Sequence, residues 1–189
     1  MMQFFLLGLS GSLRRFSYST AVLRGLQASL GPRSALDILP LQGLPLYNED
    51  DDAGHAPEPV RGLRSAIEAC DGVIMISPEY NHGMSGVLKN ALDWGSRPHG
   101  LSVLRKKPVL TMTVSPAFTG CVRAQQQMNA TLVAIPARPV LRPQIVIGSV
   151  HEKVRDGRLV DKAAIGFMLA GVDDLYEEIR AVRSVRTAA

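Results

Sequence analysis

One unit of the chain constrains the fold more than any other: an apolar segment, a turn-rich polar segment and an amphipathic segment follow one another directly. The apolar segment is 72–76, the polar segment is 77–86, and the amphipathic segment is 87–94. This order predicts a strand, a loop and a helix. In an open α/β sheet, ligands bind in the crevice outside the carboxyl ends of the strands. The most polar loop of the chain is therefore expected at a ligand site.

Strand-like and helix-like segments alternate along the chain. Short apolar runs predict strands at 4–9, 34–39, 72–77, 109–114 and in the region 140–147, which Arg142-Pro143 interrupts. Helical periodicity predicts helices at 18–30, 58–70, 87–94, 121–134 and 161–186. This alternation predicts an α/β fold, a doubly wound sheet of five parallel strands with helices on both faces and strand order 2-1-3-4-5. At 189 residues, a single domain spanning 1–189 is expected.

Composition and charge narrow the functional class. The chain is 46% hydrophobic and 20% charged, with a net charge of +4. Its basic residues are scattered, without a stripe or interleaved aromatic residues, so no nucleic-acid partner is expected. No run approaches the ~18 apolar residues of a membrane helix. The apolar segment 1–9 lacks a preceding positive region and a cleavage pattern, so a cytoplasmic protein without a membrane partner is expected.

Neither the cysteines nor the acidic residues predict a metal site. Cys70 and Cys121 have no CxxC spacing and no neighbouring histidine cluster, and they are expected to be reduced thiols. The acidic run Glu49-Asp50-Asp51-Asp52 lies in a long loop, 40–59, where nothing fixes a ligand geometry. It is expected to be a solvated surface.

The loop that follows the first strand has the residues of an anion site. It offers hydroxyl groups and positive charge from Ser10, Ser12, Arg14, Arg15, Ser17 and Ser19. The helix that follows adds free backbone N–H groups and the positive end of its dipole. The spacing matches neither GxGxxG nor GxxxxGK[ST], so a monophosphate such as that of FMN fits better than a dinucleotide or a nucleoside triphosphate. A serine-rich helix cap without a ligand is the alternative.

The loops after the third and fourth strands carry the remaining candidates. In 77–86 the residues that suit a planar heterocycle are Pro78, Glu79, Tyr80, Asn81 and Gly83. His82 is a candidate acid, although a solvated surface group is the more ordinary role for a loop histidine. Ser115 opens the next loop, 115–120, and is expected to flank the same crevice. Phe118 would either form part of a wall or pack internally.

These segments resemble the NADPH-dependent FMN reductase family, especially its chromate-, quinone- and azo-reducing branch. The matching residues are Gly11-Ser12-Leu13-Arg14 with Ser17 and Ser19, Pro78-Glu79-Tyr80-Asn81-His82-Gly83, Leu88-Lys89-Asn90-Ala91-Leu92-Asp93-Trp94, Ser115, and Arg123-Ala124-Gln125. The resemblance covers residues 2–148. It implies a flavodoxin-like fold that holds FMN.

The resemblance also implies a role for each loop. The phosphate would be held by Ser10, Ser12, Arg14, Ser17 and Ser19, with Tyr18 beside them. The isoalloxazine ring would be bordered by Pro78, Glu79, Tyr80, Asn81 and Gly83. Ser115 would lie near the ribityl chain or the ring. NADPH or NADH would be the electron donor, and quinones, azo compounds, chromate or similar small molecules the acceptors. The flavin carries the chemistry, so no catalytic side chain and no metal are expected. A homodimer or homotetramer is implied.

Three departures from the family pattern leave other functions open. Phe16 and Ser19 stand where the family often has Gly and Asn, the loop 116–121 is not glycine-rich, and Gln126 replaces a frequent aromatic residue. A flavodoxin-like electron carrier without reductase activity is one rival, although such carriers are typically acidic. A binding module that has lost its flavin is another. Arg97, His99 and Arg105 would either recognise a 2′-phosphate or form a solvated basic loop.

Overall fold

The computed structural model describes residues 3–187 and contains a β-sheet between two layers of helices. The strands are β1 (Phe4–Ser10), β2 (Ser34–Leu39), β3 (Gly72–Ser77), β4 (Glu79–Tyr80), β5 (Gly83–Met84), β6 (Pro108–Val114), β7 (Arg138–Pro139), β8 (Ile145–Ile147), β9 (Val154–Arg155) and β10 (Arg158–Leu159). The helices are α1 (Tyr18–Ser29), α2 (Glu58–Ala69), α3 (Gly86–Gly95), α4 (Val122–Ala134), α5 (Val150–Lys153) and α6 (Lys162–Thr187), with a 3-10 turn at Asp50–Asp52.

The main sheet is parallel, with the order β2-β1-β3-β6 and a divided last position. β7 pairs with the start of β6, where Pro108 faces Arg138, and β8 pairs with its end, where Val114 faces Ile147. The prolines at 139 and 143 cannot donate to the ladder, which accounts for the interruption. The predicted order 2-1-3-4-5, with a broken last strand, is confirmed.

Both faces of the sheet are covered, which explains why its central strands, β1, β3 and β6, are mostly apolar. Every residue of β3 and β6 is buried. Successive side chains of a strand point to opposite faces. Accordingly, Leu7 and Val73 pack in the core formed with α2, α3 and α4, whereas Leu6 and Ile74 pack in the core formed with α1 and α6.

Most predicted helix and strand boundaries agree with the structure to within one or two residues. The structure adds two short hairpins, β4–β5 and β9–β10, and the one-turn helix α5, which the sequence patterns do not indicate. Met1 and Met2 of the apolar N-terminal segment lie outside the described residues. Within residues 3–187, none of the helices combines the length and apolar composition that crossing a membrane requires.

The long loop after β2 is fastened to neighbouring helices. The Asn90 side chain on α3 accepts from the Tyr47 N–H at 2.8 Å and donates to the Pro45 carbonyl at 2.8 Å. Arg64 of α2 donates two hydrogen bonds of 2.8 Å to the Asp52 carboxylate, which lowers the pKa of that carboxyl. The prediction of a solvated acidic run is therefore wrong for Asp52, because its side chain is only 9% exposed and is paired with Arg64.

Candidate functional site

The loops after β1, β3 and β6 meet at the carboxyl edge of the sheet and enclose a crevice with an empty volume of about 530 Å³. Of the predicted site residues, those that line it are Ser12, Arg14, Tyr18, Ser19, Pro78, Glu79, Tyr80 and Ser115. The other four, Ser10, Ser17, Asn81 and Gly83, lie in the same loops but not on its lining. The lining also includes Val114, Pro116 and Cys121, which the sequence analysis did not assign to the site. Val114 and Pro116 flank Ser115 in the chain, which is the signal that could have identified them.

Three serines of the first loop (residues 10–17) shape it through their oxygen atoms. Ser17 caps α1, because its Oγ accepts from the Thr20 N–H at 3.2 Å. Ser10 Oγ accepts from the Thr20 hydroxyl at 2.9 Å, and Ser12 Oγ accepts from the Arg14 N–H at 3.4 Å. In each bond the serine oxygen is the acceptor, so its hydroxyl proton is still free to be donated to a ligand.

Ser19 is the polar residue of this region that the protein itself does not satisfy. It is 1% exposed, and its hydroxyl has no hydrogen-bond partner. A buried hydroxyl without a partner costs about 1–3 kcal/mol. Ser19 borders the crevice and stands in the first turn of α1, where backbone N–H groups also lack intrahelical partners. A phosphate oxygen placed here would accept from both.

Arg14 supplies the positive charge of the first loop. Its Nη2 donates to the Phe16 carbonyl at 2.8 Å, and its guanidinium carbon lies 5.3 Å from the centre of the Tyr18 ring. Phe16 itself is 76% exposed. A cation, free hydroxyl protons and a helix N-terminus are together what a phosphate monoester requires. The residues present therefore fit the phosphate of FMN.

Gly11 allows the first loop to lie directly against β3. Its N–H donates to the Ile76 carbonyl at 2.8 Å. A Cβ atom at this position would lie 2.7 Å from Ser85 Oγ and 3.2 Å from the Ser77 Cα. Any larger residue would therefore push the first loop away from the strand that carries the second loop.

The second loop folds as a β-hairpin, formed by β4 and β5, hereafter the hairpin (residues 79–84). Glu79 pairs with Met84 and Tyr80 with Gly83. The two turn residues, Asn81 and His82, have φ values of 50° and 68°. Two consecutive residues with positive φ are typical of a type I′ turn, whose twist matches the twist of the flanking strands. The turn directs the Tyr80 side chain outward at the edge of the crevice, where it is 57% exposed.

The hairpin is fastened to the N-terminal half of α4 by two side chains. Glu79 Oε2 accepts from the Ala124 N–H at 3.0 Å, and Gln127 Oε1 accepts from the Met84 N–H at 2.6 Å. The residue before α4, Cys121, makes no side-chain cap, so Glu79 provides the negatively charged cap from the hairpin instead. These bonds hold the hairpin in position without a bound ligand.

His82 lies at the exposed tip of the hairpin. Its Nδ1 accepts from Arg123 Nη1 at 2.6 Å, and Glu79 Oε1 is 3.8 Å from both groups. Because Nδ1 acts as the acceptor, the ring proton lies on Nε2. The side chain is 72% exposed and does not line the crevice.

The third loop (residues 115–121) is held on both sides of its tip by hydrogen bonds between side-chain hydroxyls and the backbone. Ser115 Oγ accepts from the Ala117 N–H at 2.9 Å, and the Gly120 carbonyl accepts from Thr113 Oγ1 at 3.0 Å. Phe118, at the tip, is 91% exposed. Of the two roles expected for this ring, internal packing is excluded by the structure.

Cys121 is the thiol that faces the crevice. It is 8% exposed, has a φ of 72°, and donates from Sγ to the Val114 carbonyl at 3.3 Å. Burial raises the pKa of this thiol above its usual value, as burial also raises the pKa of Cys70 to about 11. Both groups are therefore neutral thiols near pH 7.

The basic loop between α3 and β6 lies away from the crevice. Arg97, His99 and Arg105 line a separate cavity beside the C-terminal ends of α3 and α4. This loop leads into the amino end of β6, whereas the crevice lies at the carboxyl end. Within one chain, these residues therefore do not reach a ligand in the crevice.

The fold and the crevice define a class: a doubly wound parallel sheet with a crevice at its carboxyl edge, whose residues fit a phosphate, is typical of flavodoxin-like FMN proteins. The chain belongs to the NADPH-dependent FMN reductase family, whose model matches residues 5–152. The predicted family, the enzyme class, and FMN with NAD(P)H as donor are confirmed. The electron-carrier and binding-module alternatives find no support in this family.

Known proteins resemble the chain over most of its length. It is 38% identical to an NAD(P)H-dependent FMN reductase of Pseudomonas aeruginosa, over 84% of this chain and 85% of that protein. It is 38% identical to a quinone reductase of Pseudomonas putida, over 93% and 94% of the two chains. The solved structure of a flavoenzyme NAD(P)H:(acceptor) oxidoreductase from Paracoccus denitrificans matches with a TM-score of 0.82 and 31% identity, over 93% of this chain and 98% of that one.

Proposed function

We propose that this reductase passes electrons from NAD(P)H to quinones, with azo compounds and chromate as further acceptors. With a quinone, the balanced reaction converts NAD(P)H, one proton and the quinone into NAD(P)⁺ and the hydroquinone. A relative 38% identical over 93% of the chain is named a quinone reductase, which supports this acceptor class.

The cofactor would be held by the residues at the crevice. Ser12, Arg14 and Ser19 would bind the phosphate, while Ser10 and Ser17 would orient the loop and donate their free hydroxyl protons. The hairpin, with Pro78, Glu79, Tyr80, Asn81 and Gly83, would border the ring, and Ser115 would lie near the ribityl chain. The observation that carries the proposal is the buried Ser19 hydroxyl, which has no partner in the protein.

When bound, FMN supplies the hydride and electron chemistry that side chains lack. The tasks of this chain are to bind FMN, to orient it and to shield it. Positive charge from Arg14 and the N-terminus of α1 retains the phosphate. The bonds between Glu79 and the Ala124 N–H and between the Met84 N–H and Gln127 fix the hairpin on α4, so the ring site exists before the cofactor arrives. No side chain is required as an acid or base.

The proposal extends to the state of the protein in the cell. The whole chain would form one domain, because α6 packs in the same core as α1, β1 and β3. A homodimer or homotetramer is supported by exposed apolar side chains around the crevice, such as Phe16 and Val122. A cytoplasmic location is supported by the two free, neutral thiols.

The visible absorption spectrum of the purified protein tests this function. We expect an oxidised-flavin spectrum that bleaches when NADPH is added without oxygen and returns when 1,4-naphthoquinone is added. A protein that stays colourless after incubation with FMN contradicts the cofactor site. A flavin that bleaches but is not reoxidised by naphthoquinone contradicts the acceptor class and leaves the cofactor site standing.

A further inference from the structure

Phe118 combines a fixed backbone with an unburied side chain. It stands between Pro116 and Cys121, which both line the crevice, and its side chain is 91% exposed. A phenyl ring that buries no surface contributes nothing to folding through the hydrophobic effect. Because Phe118 lies in a loop whose neighbouring residues line the crevice, its ring is available to a ligand that enters there.

The backbone on both sides of Phe118 is held in place. The Ala117 carbonyl accepts from the Ser149 N–H at 3.3 Å. The Phe118 carbonyl lies against Gly148, where a Cβ atom would approach to 2.5 Å. Gly120 has a φ of +67°, and a Cβ there would lie 1.9 Å from Val146 Cγ1. These close contacts fix the point from which the ring projects, although the ring itself is free.

A second aromatic ring, that of Tyr80, lines the crevice and projects from the loop next to that of Phe118. Tyr80 projects from the hairpin after β3, and Phe118 projects from the loop after β6, and these two strands are adjacent in the sheet. Aromatic rings interact with flat aromatic molecules more favourably than with compact hydrated ions, because they offer stacked and edge-to-face contacts. The mouth of the crevice thus has the chemistry of a site for a planar ring.

We propose that Phe118 determines acceptor specificity by stacking on planar aromatic acceptors at the mouth of the crevice. The proposal rests on the proposed function and deepens it, since it assigns the acceptor contact to one residue. It predicts a preference for quinones over compact acceptors. It also explains why a loop that is glycine-rich in many family members carries an exposed phenylalanine here.

Equilibrium binding without an electron donor tests the contact directly. The oxidised, FMN-loaded protein is titrated with 1,4-naphthoquinone, and binding is followed by the shift of the flavin absorption bands. We expect Phe118→Ala to raise the Kd about threefold to tenfold, and Phe118→Tyr to leave it near the wild-type value. Leu141→Ala, at a residue 93% exposed that lies between β7 and β8 and outside the three crevice loops, is the matched control and should change nothing.

Stopped-flow kinetics separates the acceptor from the cofactor. In Phe118→Ala we expect the bleaching by NADPH and the reoxidation by ferricyanide, a compact ion, to keep their wild-type rates, while reoxidation by naphthoquinone slows. Equal slowing with both acceptors would show that Phe118 acts on the flavin or the fold and would overturn the proposal. A changed oligomeric state in light scattering would assign the ring to a subunit contact instead. Wild-type protein that fails with naphthoquinone contradicts the proposed function, whereas equal quinone rates in both proteins contradict only the role of Phe118.

Discussion

The first loop and the hairpin border the same crevice, but they are stabilised in different ways. The hairpin is held by two bonds to α4: the Glu79 carboxylate accepts from the Ala124 N–H, and the Met84 N–H donates to Gln127 Oε1. The first loop keeps hydroxyl protons free, and in the adjoining first turn of α1 the buried Ser19 hydroxyl has no partner. On the hairpin side of the crevice the hydrogen bonds are satisfied within the protein, whereas on the first-loop side some hydrogen-bonding groups have no partner in the protein.

This difference indicates a division between orientation and affinity. A hairpin that is already in place costs no ordering when the ring of FMN binds, so it can set the orientation of the cofactor. An unsatisfied hydroxyl beside a helix N-terminus gains its hydrogen bond only when the phosphate arrives. FMN binding should therefore add stability mainly through the first loop, in proportion to its concentration over its Kd.

Gly11→Ala should have the largest effect, because it disturbs both walls at once. The new Cβ would lie 2.7 Å from Ser85 Oγ, which caps α3 by accepting from the Leu88 N–H. We expect a loss of about 2–3 kcal/mol in the free energy of unfolding and no measurable FMN retention. Denaturant unfolding of the apo protein and flavin absorbance measure the two effects.

The matched control for this change is Gly62→Ala in α2. No atom lies within 4 Å of a Cβ at Gly62, and the position is an exposed helix interior. This variant should gain about 0.5–1 kcal/mol, because alanine is the better helix former. If both variants behaved alike, the close packing of the first loop on β3 would not be the cause.

Glu79→Ala should destabilise the protein on the hairpin side of the crevice even in the absence of FMN. It removes the carboxylate that caps α4 at the Ala124 N–H, a charged hydrogen bond to a half-buried group. We expect the apo protein to lose about 1.5–3 kcal/mol of stability, measured by denaturant unfolding. Glu79→Gln keeps an acceptor oxygen and should recover much of the loss. Unchanged apo stability in Glu79→Ala would mean that the hairpin is not fastened through this bond.

Ser19→Ala, on the first-loop side of the crevice, should have the opposite pattern: it should affect FMN affinity but not the stability of the apo protein. Removing a buried hydroxyl that has no partner leaves apo stability unchanged or slightly higher. FMN affinity should fall about tenfold or more, because a hydrogen bond to a charged phosphate is lost. Titration of apo protein with FMN, followed by quenching of flavin fluorescence, measures the Kd.

Ser17→Ala, at the N-cap of α1 two residues before Ser19, is the contrasting variant. Its hydroxyl already caps α1, so its loss should cost the apo protein about 1 kcal/mol. An equal drop of apo stability in Ser19→Ala and Ser17→Ala would contradict the distinction between satisfied and unsatisfied serines.

The sequence predicts the sheet well because its signals are local and strong. The apolar run 72–77 reflects a strand buried on both faces, and the helical period of 58–70 reflects a helix buried on one face. The structure confirms the strand order 2-1-3-4-5. The identity of the three crevice loops follows from the same pattern, since each loop leaves the carboxyl end of a strand. Ser12, Arg14 and Tyr80 line the crevice as the loop assignments imply.

Features that depend on distant partners cannot be predicted in this way. The partner of Glu79 lies on α4, and the partner of Met84 N–H is Gln127, 43 residues further along the chain. Asp52 appears as one member of an acidic run, but its pairing with Arg64 emerges only when the loop and α2 pack together. Cys121 reaches the crevice through a left-handed backbone conformation that no residue preference indicates for cysteine.

The smallest expected change, and the most direct comparison of the two walls, is in amide hydrogen exchange with and without FMN. The Met84 and Ser85 amides already donate to Gln127 Oε1 and Ser77 Oγ, so FMN should alter their exchange little. Amides at the start of α1, such as that of Ser19, lack intrahelical acceptors and should become protected when the phosphate binds. Strong FMN-dependent protection of Met84 and Ser85 would mean that the hairpin opens in the apo protein. The ring site would then be assembled by the cofactor rather than offered to it, and the division between orientation and affinity would fail.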